Sequence, residues 1–410
     1  MGLKIAVISI HSSPIGDLGT QDTGGMSVYV RETAKELAGM GHHIDIFTQH
    51  NAGHHEPILH LYDNVRLIRL SGGTHRNIAK SSLYEVLPKL FNEMESFRIK
   101  ENISYDVIHS HYWISGLLGL KLQSTWNAVH LITYHTIGAV KNLTCSTENV
   151  SELRLANEKK LAKLCDRIIV PTQKDKEYLI QYYDAPYDNI RIVPCGVNLE
   201  RFKPQDKISV RRQLTLPIDD PMILYVGRFV PIKGLDRLLQ SFSCMTHLLC
   251  AILVMVGGDG ERSPMSQHLK KKAEAFHIQN RLLFVGRVDQ KTLPIYYSAA
   301  DVLVVPSYYE SFGLTALEAL ACGTPVVTTS VGAMGNIVQD DVTGYVATDS
   351  DPCHFAGLIE AILAKQKQNG LSRSQIRASV SDFTWARSAS LLLDAYRSIS
   401  AGKSRTVRRI

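Results

Sequence analysis

Two carboxylates eight residues apart, Glu310 and Glu318, bracket the stretch Ser311-Phe312-Gly313-Leu314 in this 410-residue chain. A carboxylate accepts two hydrogen bonds from a vicinal diol, so such a pair suits a sugar or a ribose. Gly313 reads as the opening of a helix, Gly323 as its C-terminal cap and Pro325 as the start of the next strand. The backbone N–H groups of Phe312, Gly313 and Leu314 would then lack intrahelical partners and face an anion or a hydroxyl-rich ligand. The bland alternative, a solvated amphipathic helix, would not require Gly313, Gly323 and Pro325 at those places. Two cations stand near one another in sequence, Arg228 after a buried strand and Lys233 at the next helix start. An Arg fork and a Lys point charge one short loop apart can clamp a diphosphate. Near the other end of the chain, Gly24-Gly25 also falls at a helix start, where the backbone can approach a ligand closely. Alone this pair is no more than a tight loop.

These residues need elements to hold them. Residues 3–10, 44–48, 65–70, 106–111, 129–135, 167–172 and 190–194 read as strands, with helical patterns at 26–40, 83–98, 113–122, 150–164 and 174–182. Residues 198–220 break the alternation, which then restarts. Strands are expected at 222–227, 251–257, 282–285, 301–305, 325–329 and 344–347, with helices at 234–244, 264–276, 292–300, 314–321 and 353–365. The class is α/β: two facing Rossmann-like domains on largely parallel sheets, with ligands at the carboxyl ends of the strands. His109, His111, Tyr112, His135 and Thr136 fall at those ends. His109 and His111 have no third ligand at motif spacing, so a pocket wall or core role is expected rather than a metal site. Neither a dinucleotide fingerprint nor a P-loop pattern is present.

Bulk properties exclude other classes. Hydrophobic residues make up 45% and charged residues 20%, ordinary for a soluble enzyme. The net charge of +6 and pI near 8.8 suit anionic small ligands. No Lys/Arg stripe with interleaved aromatics points to nucleic acid. No apolar run approaches the ~20 residues that span a bilayer, and residues 1–30 lack a signal-peptide pattern. Seven scattered cysteines without a C-x-x-C are expected as reduced thiols in a cytoplasmic protein.

With these pieces placed, the chain resembles the retaining glycosyltransferases of family 4 from end to end. The stretches that carry the resemblance are Asp22-Thr-Gly-Gly-Met-Ser-Val-Tyr29, His109-Ser-His-Tyr-Trp-Ile-Ser-Gly116, His135-Thr-Ile-Gly-Ala-Val-Lys-Asn142, residues 227–234 and residues 310–325. The resemblance implies the GT-B fold. Residues 1–200 would form an acceptor domain and 201–384 a nucleotide-sugar donor domain. A helix over 385–401 would cross back to the first domain, and 402–410 would form a disordered basic tail. It also implies roles. Arg228 and Lys233 would meet the donor diphosphate and Glu318 its ribose. Glu310 with the backbone of Ser311, Phe312, Gly313 and Leu314 would hold the hexose, Gly25 would approach the donor, and His135 would stand beside the reacting centre. Lys80, Tyr112, Thr136 and Arg154 match an acceptor-phosphate clamp in the branch that uses phosphorylated polyols. That branch follows Gly-Gly-Met with Asn, a polyol contact, where this chain has the shorter Ser27. A phosphorylated acceptor is therefore expected, while inositol itself is not fixed.

The reaction expected is metal-independent, cofactor-free transfer of a hexose or N-acetylhexosamine from a nucleotide diphosphate sugar, UDP-sugar favoured. The acceptor would be a phosphorylated polyol or sugar such as inositol phosphate. Transfer to a hexose phosphate, as in sucrose-phosphate synthesis, stays open, as does a lipid or polysaccharide acceptor. So do a homodimer and a weak contact of the basic tail with an anionic membrane. Two carboxylates flanking a glycosidic bond would instead suggest a glycosidase, which has no use for paired diphosphate cations.

Overall fold

A computed structural model describes residues 2–16, 23–50, 56–73, 78, 82–144, 149–260, 262–368 and 370–407, the last eight by their backbone only. The first sheet contains β1 (Lys4–Ile8), β2 (His43–Gln49), β3 (Ile58–Tyr62), β4 (Val65–Leu70), β5 (Val107–His111), β6 (Val129–Thr133), β7 (Arg167–Val170) and β8 (Ile190–Ile192). Their order is β3-β4-β2-β1-β5-β6-β7-β8, parallel except for the β3–β4 pair. The second sheet contains β9 (Met222–Val226), β10 (Ile252–Val256), β11 (Leu282–Gly286), β12 (Val302–Val305), β13 (Val326–Thr329) and β14 (Gly344–Ala347). It is wholly parallel, in the order β11-β10-β9-β12-β13-β14.

Near-continuous apolar strands form these sheets because helices cover both faces. In β1, Ile5 and Val7 enter one hydrophobic cluster while Ala6 and Ile8 enter the other, all buried. Chain order reverses beside β1 in the first sheet and beside β9 in the second. Each reversal opens a crevice at the carboxyl ends of the strands, where ligands bind in open α/β sheets.

The chain returns to the first domain at its end. Val197 bridges to Thr384, and a β-carbon on Gly196 would lie 2.3 Å from the Trp385 nitrogen. The final helix, Trp385–Val407, then packs on the first domain. Its Tyr396 hydroxyl bonds His109 Nδ1 at 2.8 Å, and the Ser388 hydroxyl donates to the Pro194 carbonyl at 2.7 Å.

Three expectations are corrected. The helix continues to Val407, through residues expected to be disordered from 402. Residues 207–213, inside the break between domains, form the helix Lys207–Gln213. The Asp206 side chain caps it by accepting from the Ser209 N–H. Arg211 ties this helix to the second sheet through Asp301 at 2.8 Å, and the Met222 N–H donates to the same carboxylate oxygen at 2.7 Å. Finally, the thiols are not all reduced. Cys244 and Cys353, 109 residues apart, form a disulfide with Cα atoms 5.5 Å apart. It joins the end of helix Leu235–Cys244 to the first turn of helix Pro352–Lys367. Among the described residues, no helix is long and apolar enough to cross a membrane.

Candidate active site between the two domains

On the second domain, β9 ends at Val226 and the chain passes Gly227 and the half-buried Arg228. A 3-10 turn, Pro231–Lys233, follows and is closed by Gly234 in the left-handed region. A side chain there would place its β-carbon 2.0 Å from the Pro306 carbonyl oxygen, so this position requires glycine. The close approach seats Lys233 against the loop after β12. Lys233 Nζ pairs with Glu310 Oε1 at 2.5 Å, and the Ser307 hydroxyl donates to the same oxygen at 2.8 Å. A cation expected on the diphosphate and a carboxylate expected on the hexose thus share one electrostatic contact.

Helix Leu314–Ala321 begins at Gly313, whose φ is 109°, and no side chain caps it. Its start keeps the positive end of the helix dipole directed at the cleft, beside Ser311 and Phe312. Glu318 lies one turn inside the helix and is 7% exposed. Its Oε2 accepts from the Tyr297 hydroxyl at 2.7 Å and its Oε1 from the Gln290 amide at 3.4 Å. Burial outweighs these two bonds and pushes the carboxyl up to about 7.

On the first domain, helix Gly25–Gly39 starts at Gly24, again without a side-chain cap. A β-carbon on Gly25 would meet Leu314 Cδ1 at 3.3 Å, so the two helix starts face one another across the cleft. Ser27 is fully buried, its hydroxyl 2.7 Å from that of Ser12. It therefore lies behind the cleft surface. After β5, Tyr112 adopts φ 74°, and after β6, His135 adopts φ 58°. Both are uncommon for residues other than glycine. His135 Nε2 lies 2.8 Å from His111 Nδ1. Burial pushes His135 down to about 3 and His111 well below the ordinary imidazole range, so both rings are neutral.

Three residues of the expected acceptor clamp come together. Arg154 donates to the Thr136 hydroxyl at 2.9 Å and lies over the Tyr112 ring, 4.8 Å from its centroid. Lys80, the fourth, lies outside the described residues. Behind the group sits Glu158, fully buried. It accepts from Arg154 Nε at 2.6 Å, from the Gly138 N–H at 2.8 Å and from the Tyr183 hydroxyl. Burial opposes the charge on Arg154, but Glu158 and Tyr112 overcome it and raise its pKa.

The two halves touch through residues that sequence spacing did not reveal. The Tyr309 hydroxyl, on the residue before Glu310, accepts at 3.1 Å from the N–H of Ile137, the residue after Thr136. Gln290 Oε1 accepts from Arg31 at 2.5 Å and from Arg201 at 2.8 Å. Gln290 thereby links the first domain to Glu318. It stands 28 residues before Glu318 on another element, so no local pattern marks it. Among the described residues, no group of three or more His, Cys, Asp or Glu is arranged to hold a metal ion.

Comparison with known proteins identifies the family and the fold. The family model described as Glycosyltransferase Family 4 matches residues 23–201, and that described as Glycosyl transferases group 1 matches residues 206–379. The chain is 33% identical over 405 residues to D-inositol 3-phosphate glycosyltransferase of Xylanimonas cellulosilytica, covering 96% of each chain. It is also 33% identical over 407 residues to the Corynebacterium diphtheriae protein of the same name, covering 97% of this chain and 95% of that one. Among solved structures, sucrose-phosphate synthase from Thermosynechococcus elongatus superposes with a TM-score of 0.87 at 34% identity, covering 98% of this chain and all of that one. Anabaena HepE in complex with UDP-glucose superposes with a TM-score of 0.73 at 17% identity, covering 98% and 100%, a likeness of fold alone.

Proposed function

This chain belongs to glycosyltransferase family 4, and from that membership we propose a specific reaction for it. It transfers a hexose or N-acetylhexosamine, with retention, from a nucleotide diphosphate sugar to a small phosphorylated polyol or sugar. The observation that carries the reading is the Tyr309–Ile137 hydrogen bond. It joins the segment that carries Glu310 to the segment that carries His135 and Thr136, which supports a reacting centre between the two domains.

In this reading Arg228 and Lys233 take up the negative charge that grows on the leaving diphosphate, helped by the start of helix Leu314–Ala321. The leaving phosphate accepts the proton of the attacking hydroxyl on the same face of the sugar, so no carboxylate nucleophile is needed. Glu310 with the backbone of residues 311–314 positions the hexose, and Glu318 accepts from the ribose diol. Lys233 leaves Glu310 for the diphosphate, while Ser307 keeps Glu310 in place. Gly25 permits the first domain to close over the donor. Across the cleft, Arg154, Thr136 and Tyr112, joined by Lys80, hold the acceptor phosphate by charge-assisted bonds. The chemistry is metal-independent, because side-chain cations and a helix start serve the diphosphate. UDP-glucose, bound by Anabaena HepE, represents the donor class.

One observation favours a hexose phosphate over inositol phosphate as acceptor. Ser27 is buried against Ser12 and supplies no long polar reach into the cleft. A matrix of products tests both. UDP-glucose, UDP-N-acetylglucosamine and ADP-glucose are incubated with inositol phosphate, hexose phosphates and their dephosphorylated counterparts, and products are read by mass spectrometry. Products confined to phosphorylated acceptors support the reading. Equal efficiency on dephosphorylated acceptors removes it.

A further inference from the structure

We propose that His111 is a positioning residue whose ring-to-ring hydrogen bond fixes the orientation and tautomer of His135. The inference rests on the reading of His135 as the histidine beside the reacting centre. His111 itself is 1% exposed, so it acts through its neighbour and does not touch a ligand.

The geometry requires a division of roles. His111 Nδ1 and His135 Nε2 are 2.8 Å apart. Two neutral imidazoles at that distance share one hydrogen, one ring donating and the other accepting. His135 therefore has Nε2 committed, and Nδ1 is its remaining polar ring atom. A second proton is excluded at neutral pH, since burial holds both rings far below their ordinary pKa.

Each end of this contact is held independently. The backbone of His135 sits at φ 58°, a conformation that persists when its surroundings over-determine it. Tyr29 presents an edge to both rings, with centroids 5.8 Å from His111 and 5.2 Å from His135. The His109 ring lies 4.3 Å from His111. His109 is fixed in turn by Tyr396 at 2.8 Å and by the Thr133 hydroxyl at 2.9 Å. The series thus begins in the final helix, passes through two buried rings and ends on the half-buried His135 at the cleft.

The test compares His111→Ala, His111→Asn and His135→Ala, using whichever of UDP-glucose, UDP-N-acetylglucosamine and ADP-glucose wild type turns over fastest. Misplacing a group at the reacting centre by about 1 Å costs on the order of 10²-fold. His111→Ala is therefore expected to lower kcat on that scale while KM for the donor stays nearly constant. His111→Asn, whose amide keeps a polar atom near the Nδ1 position, is expected to recover most of the loss. A bulk structural defect would not produce that split or that rescue. Nitrogen-15 NMR of the histidine side chains, with His135 assigned from the His135→Ala spectrum, is expected to show a single His135 tautomer in wild type. Should His111→Ala fail to fold, this measurement decides, and a His135 ring averaging between tautomers overturns the proposal. So does wild-type kcat in folded His111→Ala when His135→Ala is impaired. Wild-type kcat in His135→Ala instead removes the underlying role of His135, an outcome distinct from the others.

Discussion

As the proposed ribose acceptor, Glu318 should make nucleotide-sugar binding a proton-linked event. Its carboxyl is buried, bonded by Tyr297 and Gln290, and lifted from 4.5 to about 7. A ribose diol brings two more donors, which the carboxylate accepts better than the acid. At pH 6 only about one molecule in ten carries the ionised form, so the donor dissociation constant should be about tenfold weaker than at pH 8. Each binding event near pH 6 should then release close to one proton. The sign for folding runs the other way. A carboxyl whose folded pKa exceeds its unfolded value stabilises the fold below about pH 4.5 and loses that contribution as pH rises toward 7, an effect of at most about 3 kcal/mol. Isothermal titration calorimetry with UDP-glucose measures the linkage directly, because its doubly esterified diphosphate has no proton to exchange in this range. Titrations between pH 5.5 and 8 in buffers of different ionisation heat give both the affinity and the proton count. Glu318→Gln should abolish the proton release and flatten the pH dependence. An affinity independent of pH in wild type, or equal proton release in Glu318→Gln, would refute the assignment of Glu318 to the ribose.

Arg228→Ala and Lys233→Ala should each cost about 2–4 kcal/mol of transition-state stabilisation, the scale of losing one oxyanion donor; steady-state kcat/KM near wild type in either would remove the diphosphate clamp. Transfer should survive excess EDTA, and activity that disappears with chelator and returns with Mg²⁺ or Mn²⁺ would reject metal independence. For the acceptor, Arg154→Ala would leave the buried Glu158 charge without its guanidinium, a stability loss of about 3–5 kcal/mol. Arg154→Lys is therefore the cleaner variant. It keeps the charge but loses the planar fork, and should lower kcat/KM for phosphorylated acceptors about 10–100-fold while slow donor hydrolysis continues unchanged. An equal fall in both reactions would place Arg154 in the scaffold instead of the clamp.

The parallel architecture was legible because buried strands are rich in apolar residues, and 13 of the 14 strands among the described residues fall on stretches read as strands. The exception, β3, is an edge strand whose alternate side chains face solvent, so its burial signal is weak and its composition mixed. Helix Lys207–Gln213 was missed for a related reason. It has seven residues, and its buried members are Val210 and Arg211, too few to set up a helical period. Around the site, glycines and charges at strand ends were readable, since each answers a local backbone demand. Partnerships were not. Lys233 and Glu310 are separated by 77 positions, Tyr309 and Ile137 by 172, and the bonded cysteines by 109. Only the register of two sheets and their facing brings such residues into contact, and a single sequence records neither.

The final helix has a consequence for how the protein is made. Tyr396 reaches His109 across 287 positions of chain, and its helix lies against helix Gly25–Gly39, where Trp385 meets the edge of Tyr29. A ribosome adding roughly 5–20 residues per second emits this part of the chain about 15–60 seconds after His109. Throughout that interval the nascent first domain lacks a wall of its own core, and its apolar helix face is open to chaperones or to neighbouring chains. The second domain, whose sheet is covered by helix Pro352–Lys367, is synthesised in full before Tyr396 and does not depend on the final helix in this way. Assembly is thus inverted relative to synthesis: the domain made first of the two is completed by a helix made after the second.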